Sequence, residues 1–417
     1  MQVMERIEPG TRVAGPENIQ LPVGYSIEPV AESLNYPTSV AWDRDGRMLI
    51  AESQSRYGMD DPTEVRIARQ TRDGSMETVA KGFEQLINDI TVHDGMLYVS
   101  HRGKISLVED GRIRDLVTGL PSWSMHHNNA IAFGADGRMY FSQGTATNSG
   151  VVGPLELKMQ SMGKQMGGHD IPGAPVILAG INYEAPNPMT QEKRQTGAFV
   201  PWGTATQPGQ RIPGPEPGQA ASGAIMVANG DGSDLRVFAW GLRNPFGLAF
   251  GPDGQLYATN NGANRLPPRK VANDQDTLWR IEEGAWYGWP DYYNGQPITE
   301  PAFQAPDMPP HEFLIANHEE LLKGRSSPPQ PTVALGMNVS PDKFDFCPNP
   351  DFGFQNQAFI AEFGPMLAAM AGAPPDVPVG RQVIRVDLAQ RSVSEFAANR
   401  VSHPSANGNR GGLERPV

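Results

Sequence analysis

A short hairpin pattern recurs along the chain and constrains its fold more than any other feature. In four places an apolar stretch of strand length is followed by Asp-Gly and then by a second apolar stretch, at residues 38–51, 90–100, 130–142 and 247–259. Asp-Gly between two apolar runs is a strong signal for a β-hairpin, because both residues tolerate a positive φ. The pattern therefore predicts a fold built from repeated hairpins.

The spacing of these hairpins indicates which repeat they form. Asp45, Asp94 and Asp136 are 49 and 42 residues apart, a separation that suits the four-stranded blades of a β-propeller. The fourth aspartate, Asp253, follows after a further 117 residues, which predicts a long insertion in blade three at residues 151–221. A long excursion of this kind is typical of a loop that covers one face of a fold.

The remaining chain continues the same pattern. A degenerate fifth blade is expected at residues 337–399, and residues 411–417 resemble the start of a sixth blade that is cut short. We therefore expect an all-β protein, a β-propeller of the six-bladed type with five readable blades, in one domain over residues 1–417. Helix is expected to be minor, with residues 311–322 the best candidate.

Composition agrees with a turn-rich β fold that has an ample core. The 417 residues include 46 Gly and 39 Pro, which both interrupt helices. Disorder is not expected, because 39% of the residues are hydrophobic, with 16 Phe, 10 Tyr and 7 Trp among them. The net charge of −12 disfavours nucleic acid and anionic membranes as partners.

Several classes of protein are excluded by what the sequence lacks. Its single cysteine, Cys347, rules out a disulfide within the chain, a zinc cluster of several cysteines and a covalently attached c-type haem. No run approaches the ~18 apolar residues of a membrane-spanning helix. The first ten residues show no apolar segment of a signal peptide.

The hairpin geometry gathers polar residues at one end of the propeller. Because the two strands of a hairpin meet at Asp-Gly, the residues before the first strand and after the second lie together at the opposite end. In a propeller these ends converge at one mouth of the central channel. The residues placed there are Asn88, Asp89, His101, His126, His127, Asn128, Asn129, Gln143, Thr145, Arg243, Asn244, Asn260, Asn261, Asn264, Asn338 and Glu362. Convergent amides, histidines, an arginine and carboxylates are typical of a small-molecule site.

Two adjacent histidines at this mouth have to be distinguished. His126 and His127 precede a strand of blade three, and neighbouring strand residues point to opposite faces, so only one of them faces the channel. A neutral imidazole at that place is suited to act as a general base near neutral pH.

Several motifs resemble the glucose/sorbosone dehydrogenase family, six-bladed propellers that use pyrroloquinoline quinone (PQQ) with calcium. The closest segment, 239–257, contains Leu-Arg-Asn-Pro-Phe-Gly and continues through Asn-Asn-Gly at 260–262 and Tyr-Gly-Trp-Pro at 287–290. A second segment, 126–137, begins with His-His-Asn-Asn. The resemblance implies an oxidoreductase that takes hydride from a sugar or a related alcohol or aldehyde, uses an external electron acceptor and works in the periplasm or outside the cell.

The resemblance also implies roles for individual residues. His126 resembles the general base, because it keeps the family's spacing to Gly134, and Arg243 resembles the arginine that contacts the quinone oxygens. A fixed cation there stabilises negative charge that develops on the quinone. The other implied cofactor contacts are Asn128, Asn244, Asn261 and Arg415.

A calcium site is implied at the turn after this motif. Gly262 and Ala263 resemble the residues whose backbone carbonyls hold calcium, which requires hard oxygen ligands. The family commonly has Glu where this chain has Thr277, so Asp274 or Asp276 is expected to serve instead. 

The chain departs from the family pattern at two more positions. The family often has Asp where Thr145 stands. Blade five shows no match to the family's cofactor-contacting lysine, because Glu362-Phe-Gly-Pro stands there.

Two other functions are consistent with a propeller of this kind. A calcium-dependent hydrolase of the lactonase type would take its metal ligands from a ring of carboxylates and amides, namely Asp89, Asn128, Asn244, Asn338 and Glu362. A non-catalytic propeller would bind a partner through its rim and the insertion at residues 151–221.

Overall fold

The structure is a computed structural model that describes residues 16–53, 65–163, 165–365 and 379–399. In this part of the chain, antiparallel sheets dominate and five of them are the blades of a β-propeller, which confirms the predicted fold class. No helix there is long and apolar enough to cross a lipid bilayer. The segment predicted to begin a sixth blade, 411–417, lies outside the described residues.

Blades one and two are regular four-stranded sheets whose strands follow each other in chain order. The described chain begins with a 3₁₀ turn at Pro16–Asn18 and the short strand β1 (Ile19–Gln20). Blade one consists of β2 (Pro37–Trp42), β3 (Met48–Glu52), β4 (Arg66–Gln70) and β5 (Met76–Lys81). Blade two consists of β6 (Ile87–His93), β7 (Met96–His101), β8 (Lys104–Glu109) and β9 (Arg112–Val117).

Blade three contains the predicted insertion between its second and third strands. The blade consists of β10 (Asn128–Phe133), β11 (Met139–Gln143), β16 (Ala224–Ala228) and β17 (Arg236–Trp240). The insertion contains one helix and two small ribbons, namely α1 (Pro154–Met162), β12 (Val176–Ile177) paired with β15 (Arg211–Ile212), and β13 (Tyr183–Pro186) paired with β14 (Lys193–Thr196). The structure thus places the excursion at 151–221 where the hairpin spacing predicts it.

Blade four contains a second insertion, between its third and fourth strands. The blade consists of β18 (Asn244–Phe250), β19 (Leu256–Asn261), β20 (Asp276–Ile281) and β23 (Val333–Gly336). The insertion contains β21 (Tyr292–Tyr293), β22 (Gln296–Pro297), a 3₁₀ turn at Pro301–Phe303 and α2 (His318–Leu322).

The helix predicted at residues 311–322 is shorter than expected. Only His318–Leu322 is helical. The backbone N–H groups of Leu314 and Ile315 donate instead to the buried carboxylate of Asp291, each at 2.8 Å, so they form no hydrogen bonds within a helix. The buried Arg269 guanidinium pairs with the same carboxylate at 3.1 Å.

The first described strand, β1, joins the sheet of blade five. Blade five consists of β24 (Pro341–Phe346), β25 (Ala358–Glu362), β26 (Gln382–Asp387) and β27 (Ser392–Asn399), with a 3₁₀ turn at Pro350–Phe352. The strand β1 pairs antiparallel with β27, so that the sheet has five strands. The start of the described chain therefore extends the last described blade.

The first strand of every blade faces the channel, and the Asp-Gly hairpins have the predicted geometry. The inner strands β2, β6, β10, β18 and β24 pack side by side in chain order. The glycines of the four turns, Gly46, Gly95, Gly137 and Gly254, have φ between 72° and 73°. That left-handed conformation is easily reached only by glycine. The opposite ends of the same hairpins meet at the mouth.

The core lies between the blades and continues under the insertions. One large cluster joins blades two and three to both insertions through buried side chains, among them Phe141, Leu178, Phe199, Trp286 and Leu314. Separate clusters fill the spaces between blades three and four, one and two, and four and five. The insertions are thus packed onto the propeller, and they are positioned to shape one of its faces.

Candidate functional site

A chain of four amide side chains links four blades at the mouth. We call Asn88, Asn129, Asn244 and Asn261 the amide chain. Asn88 donates to Asn129 at 3.4 Å, Asn129 to Asn244 at 3.1 Å, and Asn244 to Asn261 at 2.7 Å. The last amide donates to the backbone of Pro341 in blade five at 3.0 Å. The structure therefore brings together amides that the hairpin geometry predicts to converge.

The Arg243 guanidinium lies buried directly beside this chain. It is 4% exposed, and its Nη1 donates to the carbonyl of Asn261 at 3.2 Å. Its Nε donates to the carbonyl of Asn148 at 3.1 Å, and its Nη2 to the Oδ1 of the same residue at 2.9 Å. Burial lowers the pKa of Arg243, although Asp274 and Asp276 favour its charged form. A fixed cation is thus held at the mouth by oxygen acceptors.

Asn148 is a site residue that the sequence analysis missed. Its Oδ1 accepts from Asn264 N as well as from Arg243, and its Nδ2 donates to the carbonyl of Asn264 at 2.8 Å. The residue is 1% exposed and stands at the beginning of the blade-three insertion. The polar run Thr145-Ala-Thr-Asn-Ser directly after β11 is the sequence signal that points to it.

His126 lies against the same cluster. A Cβ atom on Gly144 would be 2.4 Å from the Cβ of His126 and 2.5 Å from the Oδ1 of Asn244, so only glycine lets the imidazole approach this closely. Thr145, which follows that glycine, donates its backbone N–H to the carbonyl of Arg243 at 2.9 Å. The candidate base and the candidate cation are thus attached to one short turn.

The hydrogen bonds of His126 fix which ring nitrogen is available. Its Nδ1 lies 2.9 Å from the carbonyl oxygen of Thr145, which has no hydrogen to donate, so Nδ1 carries the proton. In the neutral ring the lone pair therefore lies on Nε2. No described residue bonds to that atom. Burial, together with the Arg243 charge, places the pKa of His126 well below its ordinary value, so the ring is neutral at pH 7.

His127 and Asn128 have other surroundings. The Nδ1 of His127 lies 2.7 Å from the carbonyl of Ser122, and burial lowers its pKa to about 3. Asn128 is fully buried and uses both ends of its amide inside the protein, for example toward Ser100 and Gly103. Asn128, an expected cofactor contact, is therefore not brought to the mouth, whereas Asn129 is part of the amide chain there.

The turn at Gly262 and Ala263 is held by the two predicted aspartates. Asp276 accepts from the N–H of Gly262 at 2.6 Å and from that of Ser340 at 2.8 Å, so both of its oxygens are occupied. Asp274 accepts from the N–H of Ala263 at 2.5 Å. Burial raises the pKa of Asp274 to about 7 and that of Asp276 to about 6.

This arrangement suits a hard cation at the carbonyl side of the turn. Among the described residues, no hydrogen bond is directed to the carbonyl oxygens of Gly262 and Ala263. A Cβ on Gly262 would lie 2.9 Å from the carbonyl oxygen of Gln275, so a side chain there would displace the turn. The aspartates orient the turn through its amides. They do not form a side-chain metal cluster, because the described chain contains no group of three or more His, Cys, Asp and Glu that could hold an ion.

The three departures from the family pattern have distinct surroundings. Thr145 holds His126, and Thr277 accepts from the indole of Trp279 at 2.6 Å. Glu362 is 1% exposed; its Oε2 accepts from Gln382, its Oε1 has no partner in the described chain, and burial raises its pKa to about 7. The predicted contact at Arg415 lies outside the described residues.

Two of the five ligands expected for a lactonase-type metal site, Asp89 and Asn128, are engaged by protein groups. Asp89 accepts from Ser39, from the backbone of Ile131 and from the Lys343 ammonium at 2.5 Å. A cation at this carboxylate would have to replace that ammonium. Asn128, another member of the expected ring, is buried inside the blade.

One family model matches part of the chain. Residues 211–312 match the family model described as Glucose / Sorbosone dehydrogenase. The resemblance to that family is confirmed. The matched stretch contains Arg243, Asn244, Asn261 and the turn at Gly262, so it covers part of the mouth and supports an oxidoreductase. A comparison with curated protein sequences gives no significant match.

Solved structures of similar shape share the propeller. The PQQ domain of pyranose dehydrogenase from Coprinopsis cinerea, in its holo form, is 16% identical with a TM-score of 0.58, over 95% of this chain and 90% of that one. A carbohydrate-active enzyme of family AA12 from Trichoderma reesei is 16% identical with a TM-score of 0.53, over 96% and 91%. The apo form of the aldose sugar dehydrogenase from Escherichia coli is 12% identical with a TM-score of 0.50, over 91% and 88%. At these identities the likeness is one of fold.

Proposed function

We propose that the protein is a PQQ- and calcium-dependent dehydrogenase that oxidises a sugar or a related alcohol or aldehyde. The observation that carries the proposal is a neutral, half-buried histidine with an open Nε2 close to a buried arginine, both bonded to Thr145. The match of residues 211–312 to the glucose/sorbosone dehydrogenase model supports it, as does the propeller shared with a PQQ-containing domain.

Each residue of the mouth has its own role in the proposed reaction. Nε2 of His126 accepts the proton of a substrate hydroxyl, since its lone pair is fixed by the bond from Nδ1 to Thr145. Arg243 presents positive charge where negative charge develops on an acceptor, and Asn148 keeps the guanidinium in place. Asn244 and Asn261 present amides to the same space. Bound PQQ would supply the hydride acceptor.

The turn of Gly262 and Ala263 would hold calcium through its backbone carbonyl oxygens. Asp274 and Asp276 bind the N–H groups of this turn, which directs the carbonyls away from the carboxylates. Calcium accepts six to eight oxygen ligands, so water and cofactor oxygens would complete its shell. We further propose an external electron acceptor and a location in the periplasm or outside the cell.

Reconstitution tests this function. The full chain is incubated with PQQ and calcium, and dye reduction is measured with a panel of aldoses, with Arg236→Gln, a surface pair with Glu283, as the matched control for Arg243→Gln. We expect wild type and the control to reduce dye and Arg243→Gln to lose about 10²–10³ in kcat. Absence of dye reduction by wild type with every sugar would overturn the proposal.

A further inference from the structure

A cavity of about 580 Å³ is lined by His126 and by none of the residues of the amide chain. It is lined by the connection between blades two and three and by residues 165–171 of the blade-three insertion. His126 is part of its wall, so a ligand in the cavity reaches the candidate base. A volume of this size is in the usual range of small-molecule sites.

Trp123 forms an aromatic wall of this cavity. Gly163 lets its segment approach the indole closely, since a Cβ there would lie 3.1 Å from Cε3. The Arg102 guanidinium lies over the ring, 4.8 Å from its centroid. No described residue accepts a hydrogen bond from Nε1, so the indole retains a donor for a ligand.

The charged groups of the cavity are mainly cationic, in contrast to the net charge of −12 of the whole chain. Arg102 and Lys104 line it, and Glu84 is the one acidic residue in the described lining. Arg102 is 8% exposed; burial lowers its pKa to about 10, which leaves it charged at neutral pH. Lys104 pairs with Asp115 at 2.9 Å, but an ammonium has three donors.

We propose that this cavity, the Trp123 cavity, binds a saccharide that carries an anionic group, a carboxylate or a phosphate. The proposal rests on the proposed function and names its substrate class. The sugar lies beside the edge of the indole, whose in-plane N–H binds a sugar hydroxyl, and the anion binds Arg102 and Lys104. A guanidinium matches the geometry of carboxylate and phosphate oxygens. A hydroxyl of the bound sugar then faces His126.

Binding to the chain without PQQ tests this assignment independently of turnover. Glucose, glucuronate and glucose 6-phosphate are titrated by calorimetry and by tryptophan fluorescence. We expect at least one of the two anions to bind tenfold or more tighter than glucose, and this preference to disappear in Arg102→Gln. Lys104→Gln, at a half-exposed side chain, should weaken anion binding about threefold or more if the buried Arg102 variant fails to fold. Arg236→Gln is the matched surface control and should bind like wild type.

Each outcome has a defined meaning. Equal affinity for glucose and both anions, or an anion preference that survives both cavity variants, overturns the inference. A preference for glucuronate or for glucose 6-phosphate decides between the two anions. Trp123→Phe should lose the fluorescence response while it keeps part of the affinity, because Arg102 and Lys104, which bind the anion, are retained.

The two proposals fail in different ways. If the loaded protein oxidises neutral aldoses and shows no anion preference in binding, the cavity assignment fails and the proposed function stands. If anionic sugars bind through Arg102 but no sugar reduces dye after loading with PQQ and calcium, the dehydrogenase fails and the binding site stands.

Discussion

The two ends of one hairpin in blade four satisfy their polar groups in opposite ways. At the turn between β18 and β19, Asp253 accepts from the N–H of Gln255 at 3.1 Å and from the hydroxyl of Tyr257 at 3.0 Å, all within five residues. At the mouth end of the same hairpin, Asn244 bonds to Asn129 of blade three and to Asn261. The turn is complete in itself, whereas the mouth depends on the ring of blades.

Blade three repeats the contrast. Asp136 accepts from Arg138 N at 3.1 Å and from the Tyr140 hydroxyl at 3.0 Å, as its counterpart in blade four does. The mouth end instead carries Asn129, bonded to blade four. Local bonds stabilise the repeat, and bonds between blades stabilise the candidate site. Substitutions at the two ends should therefore differ in kind as well as in size.

The largest expected effect is on turnover, from a change at the mouth. His126→Gln removes the acceptor of the substrate proton and should lower kcat of the PQQ-loaded protein by about 10²–10⁴. Asp253→Ala, at the turn end, should leave kcat within about twofold of wild type, since general base catalysis does not involve it. Steady-state dye reduction measures both, and a His126→Gln variant within tenfold of wild type would contradict the assigned base.

The next effect is on stability, from the amide chain. Asn244→Ala leaves a buried donor on Asn129 and a half-buried acceptor on Asn261 without partners, which costs about 1–3 kcal/mol in the free energy of unfolding. Urea unfolding of the variant beside wild type measures this difference. A loss no larger than that of Asp253→Ala would show that the mouth is not held between blades.

The pH dependence of stability should also separate buried acids from those at turns. The carboxylate oxygens of Glu156 accept hydrogen bonds from Asn148 N and Gly153 N. Burial raises the pKa of Glu156 to about 7. Between about pH 4.5 and pH 7 the folded protein binds more protons there than the unfolded chain does, so this contribution to stability is present below pH 4.5 and is lost as the pH rises toward 7. Asp73, at a turn of blade one, has a pKa lowered to about 2 by Thr71 and Ser75.

Unfolding at pH 5 and pH 7.5 measures this contribution. In Glu156→Gln the free energy of unfolding should decrease between pH 5 and pH 7.5 by about 1 kcal/mol or more less than in wild type, since one pKa unit corresponds to 1.36 kcal/mol. Glu283→Gln, an exposed acid paired with Arg236, is the control and should keep the wild-type slope. If the change in the free energy of unfolding between the two pH values is the same in Glu156→Gln as in wild type, Glu156 is not the group with the raised pKa.

The smallest effect is expected at the turn end. Asp253→Ala removes two bonds of an exposed side chain and should cost about 0.5–1.5 kcal/mol in the free energy of unfolding. Thermal unfolding measures this cost. The rise in Tm on addition of PQQ and calcium should equal that of wild type. A reduced rise would mean that the turn end contributes to the mouth.

The fold could be predicted from the sequence because its signals are local. Asp-Gly turns with a positive φ at glycine recur in every inner hairpin of blades one to four, and their spacing locates the blade-three insertion. The helix at 311–322 could not be delimited in this way. Leu314 and Ile315, near its predicted start, bond to Asp291, which lies more than twenty positions earlier. Helix periodicity contains no information about such a contact.

The candidate site could be predicted only in part, for the same reason. Strand ends identify Arg243, Asn244 and Asn261, but they do not show which of Asn128 and Asn129 faces the mouth. The pairing register of β10 with β11 shifts just after Asn128, so simple alternation fails there. Asn148 lies in an irregular loop 95 residues before Arg243, and only the folded chain shows that the two bond.

Direct titration of the full chain with PQQ in the presence of calcium tests the account's central claim most directly. Wild type, Arg243→Gln and the surface control Arg236→Gln are titrated, and bound quinone is followed by its absorbance. The account predicts one quinone per chain in wild type and in the control, and at least tenfold weaker binding in Arg243→Gln. No binding to wild type, or equal binding by all three proteins, would contradict the claim that the mouth beside His126 and Arg243 is a quinone site.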